Sequence, residues 1–224
     1  MTAGAAHKSR GFTIIEIMVA MAIFVMIVAA VYSSWMAIVR GAVSGRKAAA
    51  AVQRSRIAVR TLEDALTSVR AFASDVQYYS FVGENGDDAS LSFVAKLPES
   101  FPRSGRFGSF DVRRVTFSLE SGADSGRQLV LRQQPVLMDM DIDEKEHPIV
   151  LEKDVKAFEL QFWDVNSSDW LDDWAQTNQL PLMVKIKLRL GGNPQHASSS
   201  AQEITRVVSL PPVMVPNGWQ GGNR

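Results

Sequence analysis

The 224-residue chain carries 24 basic and 24 acidic side chains and no cysteine. Balanced charge removes any global pull toward nucleic acid or acidic substrates. The absence of cysteine excludes disulfides, thiolate metal sites and cysteine nucleophiles, so a domain of this size must hold together by its core alone.

Residues 1–11, MTAGAAHKSRG, are small and polar, with Lys8 and Arg10 close to an apolar run. From Ile17 to Val39, 23 residues carry no formal charge. A hydrocarbon core needs about 20 apolar helical residues, so this run is long enough to cross one. Glu16 stands at its N-terminal edge, and a lone acid at the mouth of a membrane segment is usually kept for a function. A secretory signal peptide has a shorter apolar region and a small-x-small cleavage site. The flank Arg40–Lys47 offers no such site, so the run is expected to remain in the mature protein. Arg40, Arg46, Lys47, Arg54 and Arg56 outnumber the cations before the run, and a positive-inside count alone would argue against a cytoplasmic N-terminus.

Helical periodicity continues beyond the membrane-length run. Val52, Val59, Leu62, Leu66, Val69, Ala73 and Val76 form one amphipathic stripe, with arginines and acids on the other positions. No proline precedes Pro98, so nothing forces a break, and a continuous helix would be about 95 Å long at about 1.5 Å per residue. Gly41 and Gly45 mark either a bend or a close helix contact. After Tyr79 the period becomes two. Ser90–Val94 reads as a strand entered from the turn Gly83–Asp88, and residues 97–110 as a loop. Alternation then recurs at Val115–Leu119, Leu129–Leu131, Phe158–Phe162 and Leu182–Leu190, the last with Lys185, Lys187 and Arg189 facing out. A final strand lies near Ile204–Leu210, and Val213–Arg224 reads as a disordered tail. Helix followed by about six strands predicts an α+β domain, one largely antiparallel sheet packed on the helix stripe.

Catalytic signatures are missing. His7, His147 and His196 are scattered, and no metalloprotease, nucleophile-elbow, phosphate-loop or dinucleotide motif occurs. No enzyme activity and no cofactor are expected. The acidic run Asp139-Met140-Asp141-Ile142-Asp143 begins like a calcium loop. Its sixth position is Glu144 instead of glycine and its twelfth is Val150 instead of glutamate, so Asp139, Asp141 and Asp143 form a weak metal candidate beside the plainer reading of a solvated or subunit-contacting acidic edge. Trp170 and Trp174 fit core packing better than a binding face.

Gly11-Phe12-Thr13-Ile14-Ile15-Glu16 directly before an uninterrupted apolar helix resembles the N-terminus of type IV prepilins and pseudopilins. The resemblance implies cleavage after Gly11 by a prepilin peptidase, N-methylation of Phe12 and assembly through Glu16. Each position has a physical basis. Glycine lets the backbone enter a narrow cleft in extended form. The new amine of Phe12 lies one helical turn from Glu16, so an ammonium, its own or a neighbouring subunit's, can meet the carboxylate. An unpaired acid at membrane depth costs about 2.5–3.5 kcal/mol on insertion scales. The plainer alternative is a hydrated glutamate favoured by the helix dipole. Major pilins often carry a proline in the apolar helix, which this chain lacks, a departure that bears on local melting of the helix. They also commonly carry a C-terminal disulfide, and its absence here favours a pseudopilin.

Leu62-Glu63-Asp64-Ala65-Leu66 after an arginine-rich helical stretch is similar to the minor pseudopilin J of type II secretion. So is the segment Phe158–Leu190, with Trp170, Trp174 and Leu180-Pro181. The resemblance implies a pilin-like fold divided into a leader (1–11), a transmembrane assembly helix (12–39), its amphipathic continuation (40–79), a periplasmic β-rich domain (80–212) and a tail (213–224). It implies a single-pass inner-membrane subunit of the periplasmic pseudopilus or its tip complex, aiding export of folded proteins. The implied partners are minor and major pseudopilins, the peptidase, an inner-membrane assembly platform and the lipid bilayer, with no nucleic acid. Two alternatives remain: a minor pilin of a type IV pilus or DNA-uptake system, and a bitopic membrane protein with a periplasmic binding domain.

Overall fold

The computed structural model describes residues 13–72, 75–122, 126–175, 179–191, 202–211 and 214–215, without the side chains of Lys47, Val76, Met214 and Val215. The chain divides into two units, Met1–Val52 and Gln53–Arg224.

A single α-helix, α1, spans Ile14–Thr67. In the first unit its apolar side chains point outward on every side: Ile17, Phe24, Val28, Val31 and Ile38 are all exposed. A helix apolar all round has no face to bury in a core of its own and suits a lipid solvent. Among the described residues this is the one helix long and apolar enough, by length and composition, to cross a membrane. It runs unbroken through Gly41 and Gly45. A Cβ at either glycine would meet open space, so within this chain the pair makes neither a break nor a packing contact.

In the second unit α1 becomes amphipathic, as the stripe predicts. Val59, Leu62, Leu66 and Val69 are buried, joined by Ala58 and Ala65, while Arg54, Arg56, Arg60 and Asp64 stay exposed. Full burial of a leucine is worth about 1.5–3 kcal/mol, so Leu62 and Leu66 alone hold this stretch firmly to the domain.

The helix ends earlier than expected, at Thr67 instead of near Tyr79. Thr67 Oγ1 turns back to the carbonyls of Glu63 (3.0 Å) and Asp64 (3.1 Å). The backbone then goes extended, because Lys96 N–H donates to Ser68 O (2.9 Å) and Arg70 N–H to Val94 O (2.8 Å). Sheet pairing thus overrides the helical period. The strand β1 (Ala71–Phe72) and a short helix α2 (Val76–Tyr79) follow. Ala73 and the side chain of Val76, the last two stripe positions, lie outside the described residues.

The remaining strands form two main sheets, where the alternation alone suggests one. The first is an all-antiparallel meander of β2 (Val82–Glu84), β3 (Ser90–Lys96), β4 (Val112–Ser121), β5 (Arg127–Pro135) and β6 (Ile149–Glu152), adjacent in that order. The second comprises β7 (Val155–Asp164), β8 (Asp169–Leu171), β9 (Met183–Leu190) and β10 (Gln202–Ser209), in the order β10-β9-β7-β8. β1 also pairs in parallel with β11 (Met214–Val215). Those two residues of the expected tail are therefore ordered; its other positions lie outside the described residues.

Strict alternation of burial along β4 and β9 puts Val115, Phe117, Leu119, Val184, Ile186 and Leu188 in one core. An aromatic chain joins the sheets: Phe117 to Phe93 (6.2 Å), Phe93 to Phe81 (5.4 Å), Phe81 to Phe162 (6.1 Å) and Phe162 to Trp174 (6.2 Å). Asn85, in the β2–β3 turn, stitches the same boundary. Its side chain accepts from Leu160 N–H (2.8 Å) and donates to the carbonyls of Leu160 (2.7 Å) and Asp172. Nearby, Gly83 and Trp174 exchange backbone hydrogen bonds of 3.0 and 2.8 Å. Only glycine fits at position 83, because a Cβ there would sit on the Phe162 ring. Trp170 and Trp174 are not on a helix. Trp174 is a buried core residue, and Trp170 lies in β8 against Trp163.

Candidate functional site

The processing positions Gly11 and Phe12 lie outside the described residues. Thr13 opens α1: its carbonyl accepts the N–H of Glu16 (3.1 Å) and of Ile17 (3.3 Å). Thr13-Ile14-Ile15-Glu16 also has the spacing of a capping box, in which threonine and glutamate satisfy the free amides of the first turn. The Glu16 side chain is exposed and is flanked by exposed Ile14, Ile15 and Ile17. No basic group pairs with it among the described residues.

The acidic run is built into a small charged frame. Asp141 caps the short helix α3 (Ile142–Glu146), its Oδ1 accepting the N–H of Asp143 at 2.8 Å. Asp143 pairs with Arg106 (2.6 Å) and with His147 (3.1 Å). The hydrogen bond from Arg106 is the main cause holding the Asp143 carboxyl below the usual carboxylate range. Glu144, 1% exposed, points inward. It accepts from the N–H of Gln133 (3.2 Å) and from Arg103 (3.1 Å), and Arg103 also donates to His147 O (2.8 Å). Arg103 adopts a left-handed backbone (φ 57°) at the start of a 3₁₀ turn, Ser104–Arg106. A non-glycine residue holds that conformation only against a local cost. Asp139 is exposed and makes no ion pair among the described residues. The three aspartates proposed from the sequence are thus a loop acid, a helix cap and a salt-bridge partner. No cluster of three metal-ligating side chains occurs among the described residues.

Among the described residues, the domain surface includes two clefts. One, of about 280 Å³, is lined by Asn85, Glu159, Gln161, Asp172, Lys185 and Lys187. Its charges are partnered: Lys185 donates to Gln161 (2.9 Å) and sits 4.1 Å over the Trp170 ring, and Lys187 pairs with Glu159 at 3.4 Å. The other, of about 340 Å³, lies beside the loop 97–111 and reaches Arg113. Arg113 is buried, donates to Ser104 Oγ (2.7 Å) and stacks 4.6 Å over Phe107. Burial pulls its pKa down from the ordinary arginine value.

The described features are therefore an exposed apolar helix with an acid in its first turn, a two-sheet domain packed on that helix's distal stripe, and charged surface frames. The comparisons agree with this division. Residues 6–32 match the prokaryotic N-terminal methylation motif. Residues 37–199, well over half the chain, match the family described as type II secretion system (T2SS), protein J. Among curated proteins the comparison finds no match. Members of this family are structural pseudopilin subunits, which implies assembly with other pseudopilins, and the apolar N-terminal helix is consistent with a single-pass inner-membrane protein. The chain belongs to the protein J family of the type II secretion system and is a minor pseudopilin.

Proposed function

We propose that the chain is cleaved after Gly11, methylated on Phe12 and held in the inner membrane by α1 with its β-rich domain in the periplasm. From there it joins the pseudopilus or its tip complex through Glu16. A prepilin peptidase and an inner-membrane assembly platform act on it, and the assembled fibre aids export of folded proteins. Its own role is structural, without catalysis or cofactor. The observation that carries the reading is Glu16 itself: an exposed acid in the first turn of a membrane-length apolar helix, with no basic partner among the described residues. In hydrocarbon such a carboxylate favours an ammonium from a neighbouring subunit, and that preference sets the axial register of packed helices.

Two measurements test this. The mature mass should begin at Phe12 and include one added methyl; an intact N-terminus refutes processing. Glu16→Val should leave membrane insertion intact while reducing incorporation into the complex and secretion. Normal secretion by that variant refutes the role of Glu16.

A further inference from the structure

The connection from β5 to α3 exposes three large apolar side chains within six residues: Leu137 (79% exposed), Met138 (52%) and Ile142 (73%). Isolated exposed leucines are ordinary, but a group of this kind on a soluble surface marks an interaction site. The tip is not a loose loop. Met138 N–H closes a turn on Pro135 O (3.1 Å), and Gln134 Nε2 holds Met138 O (2.5 Å). Buried Glu144 and its partner Arg103 anchor α3 from below, Arg106 grips Asp143, and Arg132 donates to Lys145 O (3.3 Å). These bonds fix Ile142 outward instead of letting it fold into the core, and a pre-ordered contact loses less entropy on binding.

Charge sets the partner. Residues 139–146 hold five carboxylates and one lysine; Arg103 and Arg106 pair with Glu144 and Asp143, which leaves Asp139, Asp141 and Glu146 against Lys145. Asp139 and Glu146 are exposed and make no ion pair among the described residues. An acidic rim is repelled by an anionic lipid surface, and three aliphatic side chains give a small ion nothing to bind. The complementary surface is therefore a protein face with aliphatic side chains flanked by lysine or arginine.

Resting on the family reading above, we propose that the Leu137–Met138–Ile142 tip docks a different pseudopilin subunit of the same secretion system, through an aliphatic face rimmed by basic residues.

The test uses the full-length mature protein in detergent, titrated against each of the other pseudopilins of its system. The variants are Leu137→Asp with Ile142→Asp, and separately Asp139→Lys with Glu146→Lys. All four positions are exposed, so each variant should melt like wild type. The proposal expects one partner to lose affinity at least about tenfold with the aspartate pair, the scale of a central apolar contact. The charge-reversed pair should weaken the same partner and flatten its salt dependence. Unchanged affinity for every partner overturns the tip assignment and leaves the family reading standing. Self-association of wild type that the aspartate pair abolishes puts a second copy on the tip and overturns the choice of partner. Tip-dependent binding to anionic vesicles overturns it as well. Wild type binding no pseudopilin at all overturns the docking proposal and the assembly role proposed above together.

Discussion

Replacing Glu144 by alanine should destabilise the domain by about 3 kcal/mol. The carboxylate is buried and serves two donors, Gln133 N–H and the Arg103 guanidinium. A buried N–H left without an acceptor costs about 1–3 kcal/mol, and a hydrogen bond to a charged group contributes about 1.5–3 kcal/mol. Arg103 keeps 31% of its side chain in solvent, so its share falls at the low end after screening. In a domain of this size each kcal/mol moves the melting temperature by about 2–4 °C, giving a drop near 10 °C. Near-UV circular dichroism of the full chain in detergent reads the change. Glu144→Gln, which keeps an acceptor for Gln133 but loses the charge, should fall between alanine and wild type. Adding Arg103→Ala to the alanine variant should cost little more, because the partners act as a pair. A drop below about 3 °C, under about 1 kcal/mol, or full additivity of the two changes would refute the claim that Glu144 anchors α3.

Other expectations follow from the same geometry. Gly83→Ala should cost about 1–3 kcal/mol by overpacking against Phe162, read as a lower urea midpoint; an unchanged midpoint contradicts the close approach. Burial, its largest cause, raises the pKa of Glu152 above the ordinary glutamate value. A raised acid stabilises the fold fully below its unfolded pKa and loses that contribution as pH rises through the folded value. Glu152→Gln should therefore be more stable than wild type at pH 7, with the gap closing toward pH 4. Asp164 runs the other way: the N–H groups of Asn166 (3.0 Å) and Ser167 (3.2 Å) hold its pKa down. Its contribution is present at neutral pH and fades as acidification protonates it, so Asp164→Asn should remove part of the acid sensitivity of melting. Calorimetric titration with millimolar calcium should give no saturable heat, since Asp143 is engaged by Arg106; a saturable heat lost in Asp139→Asn would restore the metal candidate.

Much of the architecture could be read from the chain because its signals are local. The uncharged run, the stripe through Leu62 and Leu66 and the alternation of Val184–Leu190 are each local signals, and each appears where expected; Leu182, predicted to open that alternation, lies outside β9 and is exposed. What escaped depends on contacts distant in sequence. Val69 and Arg70 left the helix because β3 offers them partners. The division into two sheets arises because β7 pairs with β9 and β8 and not with its neighbour β6, and the joint between the sheets depends on Asn85 reaching Leu160; no window of sequence contains both partners. β2, β6 and β8 are too short to alternate visibly. In the acidic run, composition alone did not show that Glu144 turns inward to Arg103 or that Asp141 caps α3.

The first sheet is a meander in which every strand pairs with its sequence neighbour. Contacts of short sequence separation form fastest, so β3, β4 and β5 can zip together before the strands from β7 onward have been synthesised. The Asn85 side chain, by contrast, has no partner until Leu160 and Asp172 arrive. Closure of the two sheets, and with it the covering of Phe162 and Trp174, is then a late step. During that interval the exposed aromatic edge is the part of the nascent domain most open to aggregation, and the short β2 strand beside it offers other chains little edge to template.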